Sequence, residues 1–122
     1  MAGHMQSILD SLNDREKLPR VECPEPVDGL FWVYIVQCSN RTLYVGHTGN
    51  LPQRVKYHET GAGARHTKLL APIHLVYTEG PMTSAKAIKR ERQLKKWSRS
   101  KKSALIQGDF ENLKALSKSR ET

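Results

Sequence analysis

The sequence predicts an α+β fold in which a small three-stranded sheet, antiparallel or mixed, is flanked by helices. Two early segments and one central segment are short and rich in aromatic and β-branched residues, which is typical of strands. The second half of the chain instead carries apolar residues at steps of three and four, the spacing of amphipathic helices. With 122 residues, 38% of them hydrophobic and 26% charged, the chain has the composition of one folded domain.

The strands are predicted from three apolar runs. The first run, Phe31 to Cys38, reads as a buried strand, and Leu43 to Val45 returns after a turn as a second strand that ends at Gly46. Ile73 to Tyr77 follows a proline and predicts the third strand.

The helices are predicted from their capping residues. Asn50 is a good N-cap for a helix that runs to about Glu59, and Ser84 is expected to cap the longest helix, from Ala85 to Trp97. Two shorter helices follow, one after residue 100 that stops at residue 108 and one over residues 110–117.

The first 29 residues are expected to form an N-terminal arm outside the domain. Three prolines, at positions 19, 24 and 26, interrupt regular structure there, although a short helix fits residues 6–17. Residues 1–5 resemble an expression-vector remnant. We therefore place the domain at residues 30–118 and treat 119–122 as a tail.

The composition also indicates in which cellular compartment the protein is expected to work. Two cysteines cannot form a disulfide framework, and neither an export signal nor an apolar run of the ~20 residues that span a bilayer is evident. We expect a cytoplasmic protein with no membrane partner.

The distribution of charge points to a polyanionic partner. Residues 1–30 carry three basic and six acidic side chains, a net charge of −3, whereas residues 31–122 carry 17 and six, a net charge of +11. A compact basic domain of this kind is typical of nucleic-acid-binding proteins.

One acidic residue stands out in the most basic helix. Glu91 is the single acid between Lys86 and Lys102, and it lies three residues from both Ile88 and Leu94 of the apolar stripe. A carboxylate on the core side of a helix must be compensated by a cation. Taken alone, Glu91 is either half of a structural salt bridge, with Arg90, Lys95 or a distant arginine, or a functional carboxylate.

Two further pairs of residues could carry chemistry. Arg54 and His58 are four residues apart on one helix and share a face, where they could hold a phosphate and handle a proton. Tyr34 and Tyr44 lie on the two strands of a hairpin. A two-residue loop at 40–41 would place the tyrosines on opposite faces, and a three-residue loop at 40–42 would place them on one face.

Taken together, these positions resemble the GIY-YIG nuclease family, particularly its small single-domain, UPF0213-like members. Five segments match the family's motifs in order: residues 32–34 (Trp-Val-Tyr), 44–46 (Tyr-Val-Gly), 51–54 with His58, the loop 61–67, and the glutamate helix 90–99. The first motif lacks its glycine, and His47 stands where some relatives carry a lysine.

The resemblance implies a DNA endonuclease that uses one divalent ion. Glu91 would then be the sole protein ligand of Mg²⁺ or Mn²⁺, and Arg54 would clamp the scissile phosphate. Tyr34 or Tyr44 would help to deprotonate the attacking water, with a nearby cation lowering its pKa, and His58 would relay the proton. Gly46 and His47 would support the site, His47 by tuning Tyr44.

The remaining basic residues would bind the DNA backbone, whether single-stranded, duplex or branched. They are Arg65, Lys68, Lys86, Lys89, Arg92, Lys95 and Lys96. A chain this small has no separate recognition domain, so selectivity would come from its loops or from a protein partner. The alternatives are a non-catalytic DNA- or RNA-binding module on the same fold and an interaction domain whose basic helix is merely solvated.

Overall fold

The computed structural model describes residues 17–59 and 74–121, without the side chains of residues 58, 59 and 118–121. Its strands are β1 (Phe31–Gln37), β2 (Leu43–Thr48) and β3 (His74–Met82), and its helices are α1 (Leu51–Glu59), α2 (Ser84–Lys95), α3 (Arg99–Gln107) and α4 (Phe110–Glu121). The predicted order of strands and helices is confirmed. Residues 6–16 of the expected N-terminal helix and the basic loop 61–68 lie outside the described residues.

The three strands form one antiparallel sheet in the order β2-β1-β3. Strand β1 is therefore central, and β2 and β3 are the two outer strands. Of the two kinds of sheet left open by the sequence, the antiparallel one is therefore present. None of the helices within the described part of the chain is long and apolar enough to cross a membrane.

Each face of the sheet is covered by helices. On one face, Val33, Ile35 and Val45 pack with Ala87 and Leu94 of α2 in the main hydrophobic core. On the other face, a second buried cluster joins residues of β1 and β3 to the first residue of α1; its members are Tyr34, Val36, Cys38, Leu51 and Leu75. Alternation along β1 thus sends successive side chains into two different cores.

The hairpin between β1 and β2 settles the relation of the two tyrosines. Its loop has three residues, 39–41, because the Cys38 amide donates a hydrogen bond to the Thr42 carbonyl at 2.9 Å. Arg41 adopts a left-handed conformation with φ of 72°, as the last residue of such loops does. Val36 consequently pairs with Tyr44, so Tyr44 lies on the same face as Tyr34. Of the two loops left open by the sequence, the three-residue one is present, at 39–41 rather than 40–42, and it places the tyrosines on one face as expected for that alternative.

Several predicted boundaries were wrong. Strand β2 does not end at Gly46 but continues to Thr48, and β3 extends to Met82. Helix α2 begins at Ser84, because the Thr83 hydroxyl caps it by accepting the Lys86 amide, and it ends at Lys95. Helix α3 begins at Arg99 after the cap Ser98.

The core also includes a residue that precedes the predicted start of the domain. Leu18 is 4% exposed and belongs to the main hydrophobic core. Its amide donates a hydrogen bond to the buried Gln37 Oε1 at 2.7 Å, and its carbonyl accepts one from His74 Nε2 at 2.8 Å. Residues 17–29 contain no helix or strand, yet this point of the arm is fixed against the sheet.

Candidate active site

The outer strand β2 carries the candidate site, and its position depends on Gly46. Gly46 pairs directly with Tyr34 of β1, and the tyrosine ring lies over it. A Cβ atom at position 46 would lie 2.5 Å from Tyr34 Oη and 2.7 Å from Cζ, inside van der Waals contact. Glycine is therefore required here by the close approach of the ring, which carries the Tyr34 hydroxyl across β2.

Tyr34 and Arg54 lie together on the α1 side of the sheet. Tyr34 is fully buried, and Arg54 is exposed on α1, the first residue of which, Leu51, packs into the same cluster as the tyrosine. Burial raises the pKa of Tyr34 to about 12, although the charge of Arg54 and its hydrogen bond to the hydroxyl act in the opposite direction. The nearby cation expected from the sequence is present, but it does not bring the pKa of this phenol below its ordinary value.

Glu91 approaches from α2, on the opposite side of the sheet. Its carboxylate is hydrogen-bonded at both oxygens: Oε1 lies 2.8 Å from Nδ1 of His47, and Oε2 lies 3.2 Å from Nζ of Lys95. Burial acts to raise the pKa of Glu91, but the hydrogen bonds from His47 and Lys95 and their charges outweigh it, and the pKa is lowered. Glu91 is thus an ionised carboxylate at neutral pH, and its negative charge also acts on Tyr34.

His47 is oriented by its contact with this carboxylate. Because an ionised carboxylate only accepts hydrogen bonds, Nδ1 must carry the proton in the His47–Glu91 contact. The imidazole also packs beside the Phe31 ring, with 6.1 Å between the ring centroids. In its neutral form, His47 therefore has a lone pair at Nε2.

Comparison with known proteins identifies the family of the domain. The family model described as the GIY-YIG catalytic domain matches residues 30–104, more than half of the chain. The chain belongs to the GIY-YIG family. The domain type is that of nucleases, which act on DNA and generally use divalent metal ions.

Named relatives of this GIY-YIG domain are small proteins. It is 45% identical over 75 residues to a UPF0213 protein of Staphylococcus aureus strain Mu3, a match that covers 62% of this chain and 92% of the relative. The UPF0213 protein SAV0488 of strain Mu50 matches to the same extent. Among solved structures, the solution NMR structure of the UPF0213 protein BH0048 from Bacillus halodurans is 33% identical, with a TM-score of 0.43, and the match covers 64% of this chain and 83% of that one.

The GIY-YIG site brings together some, but not all, of the residues that the sequence singled out. The charges of Tyr44, Arg54 and Glu91 all act on Tyr34, and Arg54 is also hydrogen-bonded to its hydroxyl. His58 is on α1, but its side chain lies outside the described residues, as do Arg65 and Lys68.

The predicted DNA-contacting residues of α2 are exposed. The apolar stripe of this helix differs from the prediction at one residue. Ile88, expected to face the core, is 37% exposed, because the buried face of α2 is formed by Ala87 and Leu94. Ile88 instead lines a groove on the outer side of the helix, together with Trp97 and four cations, Lys89, Arg92, Lys96 and Lys101. The Lys101 ammonium lies 4.3 Å from the centroid of the Trp97 ring.

Of the two contacts of Glu91, one was not anticipated from the sequence and the other was one of the alternatives left open. His47 was expected to tune Tyr44, whereas its side chain is hydrogen-bonded to Glu91, 44 residues away in sequence, a contact that no local pattern reveals. The Glu91–Lys95 pair has the spacing of a helical ion pair, and this spacing supports the salt-bridge interpretation of Glu91. Arg90, the other neighbouring candidate, instead pairs with Glu79 at 2.8 Å.

The residues present suit a divalent ion held by a single protein carboxylate. Within residues 17–59 and 74–121, no three side chains of the His, Cys, Asp or Glu types are grouped closely enough to form a metal cage. Mg²⁺ is commonly held by one or two carboxylates and by phosphate oxygens, and it keeps several waters. An ionised Glu91, with its side chain 17% exposed and a half-exposed lysine on one oxygen, fits that mode of binding.

Proposed function

We propose that this GIY-YIG domain is an endonuclease that hydrolyses phosphodiester bonds of DNA at the β2 edge of its sheet. The observation that carries the proposal is that the Tyr34 hydroxyl beside Gly46 is hydrogen-bonded to the guanidinium of Arg54, and that the charge of the ionised Glu91 carboxylate acts on the same tyrosine. Phosphoryl transfer needs charge stabilisation and positioning more than covalent chemistry, and these groups supply both.

Glu91 would hold the divalent ion, Mg²⁺ or Mn²⁺. When bound, the ion supplies Lewis-acid stabilisation of the negative charge on the leaving oxygen. The hydrogen bond from His47 fixes one oxygen of the carboxylate and so orients the other. His47 is thereby a positioning residue for Glu91 in this proposal.

Arg54 would bind the scissile phosphate. Its guanidinium is exposed on α1, so it can meet a phosphate from solvent while its hydrogen bond to Tyr34 keeps it in place. A planar guanidinium binds phosphate oxygens in pairs, which holds the phosphate in a fixed orientation.

The raised pKa of Tyr34 suggests different roles for Tyr34 and Tyr44 in the reaction. With a pKa of about 12, Tyr34 is protonated at neutral pH and, because it is fully buried, would act by holding Arg54 in place through their hydrogen bond. The proton released by the attacking water would pass to the hydroxyl of Tyr44 as Tyr44 gives its own proton to His58. Both residues lie on elements that border the Tyr34 ring.

The exposed cations of α2 would bind the DNA backbone. Lys86, Lys89, Arg92 and Lys96 are all exposed on the helix that carries Glu91, so phosphates bound along α2 would lead to the candidate site.

The test is the variant Glu91→Gln, assayed on labelled single-stranded, duplex and branched DNA with Mg²⁺ or Mn²⁺ and then with EDTA. We expect metal-dependent cleavage by the wild type and a loss of roughly a hundredfold or more in the variant, because the ion's contribution to the barrier amounts to several kcal/mol. DNA binding should remain intact or become slightly stronger, since a negative charge is removed.

The matched control is Glu111→Gln, which removes an exposed carboxylate from α4 and should cleave as the wild type does. An equal loss of binding and cleavage in Glu91→Gln would contradict the metal role. Salt-sensitive binding by the wild type without any metal-dependent cleavage would instead identify a non-catalytic DNA-binding module.

A further inference from the structure

We propose that Lys95 is a tethered counter-ion of Glu91, which occupies the metal-binding oxygen until a divalent cation displaces it. The inference rests on the proposed function, in which Glu91 holds the metal. It assigns to Lys95 a role in metal binding that a simple contact with the DNA backbone would not include.

The two oxygens of Glu91 are held by partners of different rigidity. Oε1 is bound by His47, a short side chain on strand β2 that is 28% exposed and packs beside Phe31. Oε2 is bound by Lys95, a long side chain that is 52% exposed and lies one helical turn further along α2. Lys95 is therefore the partner that can leave without any movement of the backbone.

A divalent ion and the Lys95 ammonium compete for the same oxygen. Two cations at one carboxylate oxygen repel each other, and the ion carries twice the charge of the ammonium. The Glu91–Lys95 pair is a partly exposed pair between adjacent turns, which is among the weaker kinds of ion pair. The ion should thus displace Lys95 rather than His47.

The displaced ammonium has a new partner when DNA is present. Its four-carbon stem allows it to turn from Glu91 to a phosphate oxygen near the bound ion. Metal and DNA would then each strengthen the binding of the other, because DNA accepts the group that the metal expels, and this coupling is reciprocal. Without DNA, Lys95 would lower the affinity of the site for the metal.

The test measures binding of Mn²⁺ alone to the full chain without DNA, from the electron paramagnetic resonance signal of the free ion. We expect Lys95→Met to bind Mn²⁺ about two- to fivefold more tightly than the wild type, the range that loss of a partly exposed ion pair gives. Lys89→Met removes the same charge from the outer side of α2 and should change the affinity by less than about twofold. Lys95→Arg keeps the cation and should remain within about twofold of the wild type.

A second readout follows the lysine itself. In carbon-detected NMR of the wild type, diamagnetic Mg²⁺ should shift the Lys95 Cε signal as the ammonium leaves Glu91, and the Lys89 Cε signal should not move. The proposal is wrong if Lys95→Met and Lys89→Met have the same Mn²⁺ affinity, or if the Lys95 signal stays in place when Mg²⁺ binds.

The variant Glu91→Gln separates this proposal from the one on which it rests. If Glu91→Gln binds Mn²⁺ as well as the wild type does, Glu91 is not the ligand and the proposed function loses its metal site. If Glu91→Gln loses Mn²⁺ binding while Lys95→Met is unchanged, the metal site stands and only the counter-ion role of Lys95 is refuted.

Discussion

The substitution Gly46→Ala tests whether the approach of Tyr34 to strand β2 organises the site. The new Cβ atom would lie 2.5 Å from Tyr34 Oη and 2.7 Å from Cζ, whereas ordinary contacts between such atoms are ~3.5 Å or more. The tyrosine ring must therefore move by about 1 Å. Because Tyr34 is fully buried in the cluster that includes Leu51, this movement displaces packed neighbours.

Overpacking of this kind costs about 1–3 kcal/mol of the free energy of unfolding. At an unfolding entropy of about 2.1 cal/mol/K per residue over roughly 100 residues, this is a fall in Tm of about 5–15 °C, measured by circular dichroism. The same shift moves Tyr34 relative to Arg54, so we expect cleavage to fall as well, measured well below the Tm of the variant.

The matched control is Gly49→Ala. A Cβ atom at position 49 would meet its nearest neighbour, in the Phe31 ring, at 3.5 Å, an ordinary contact. We expect its free energy of unfolding to change by no more than about 0.5 kcal/mol. In a Tyr34→Leu background, which shortens the opposing side chain, Gly46→Ala should cost much less than it does in the wild type. If Gly46→Ala has the same Tm as Gly49→Ala, or lowers the free energy of unfolding equally in both backgrounds, the Tyr34 ring is not the reason that position 46 requires glycine.

Two further predictions concern the side chains around Gly46. Arg54→Ala should reduce cleavage at saturating DNA by roughly 10²- to 10³-fold, the usual cost of removing one transition-state donor; an unchanged single-turnover rate would remove Arg54 from the site. For Tyr34, the pKa of about 12 in the folded protein lies above the ordinary value of 10.0, which applies to the unfolded chain. The neutral phenol therefore stabilises the folded protein fully below pH 10, and this stabilisation is lost as the pH rises towards 12. The loss should approach roughly 2–3 kcal/mol, measured by urea denaturation between pH 9 and 12, and Tyr34→Phe should show a smaller decline.

The order of elements could be predicted from the sequence because each element has a strong local signal. The apolar run of β1, the Asn50 cap of α1 and the glycine at the end of α3 act within a few residues of the structure they specify. The left-handed Gly108, with φ of 71°, ends α3 at the predicted place.

The features that sequence reasoning missed depend on contacts between distant segments. Gly46 has the local signature of a strand end, but its reason is the Tyr34 ring on the next strand. The position of the hairpin loop depends on Arg41, since residues other than glycine rarely adopt a positive φ and no local pattern marks this one. The His47–Glu91 contact joins β2 to α2 across 44 residues, so it could be seen only after the helix was placed on the sheet.

The attachment of Leu18 sets the limits of the smallest fragment that should retain the native packing. The family model matches residues 30–104, but a protein excised at residue 30 would lack the amide that satisfies Gln37 Oε1. Loss of that hydrogen bond costs about 0.5–1.5 kcal/mol, and loss of the Leu18 side chain removes its packing in the core cluster that contains Val33 and Ile35. We therefore expect a fragment that starts at residue 30 to be less stable than one that includes Leu18.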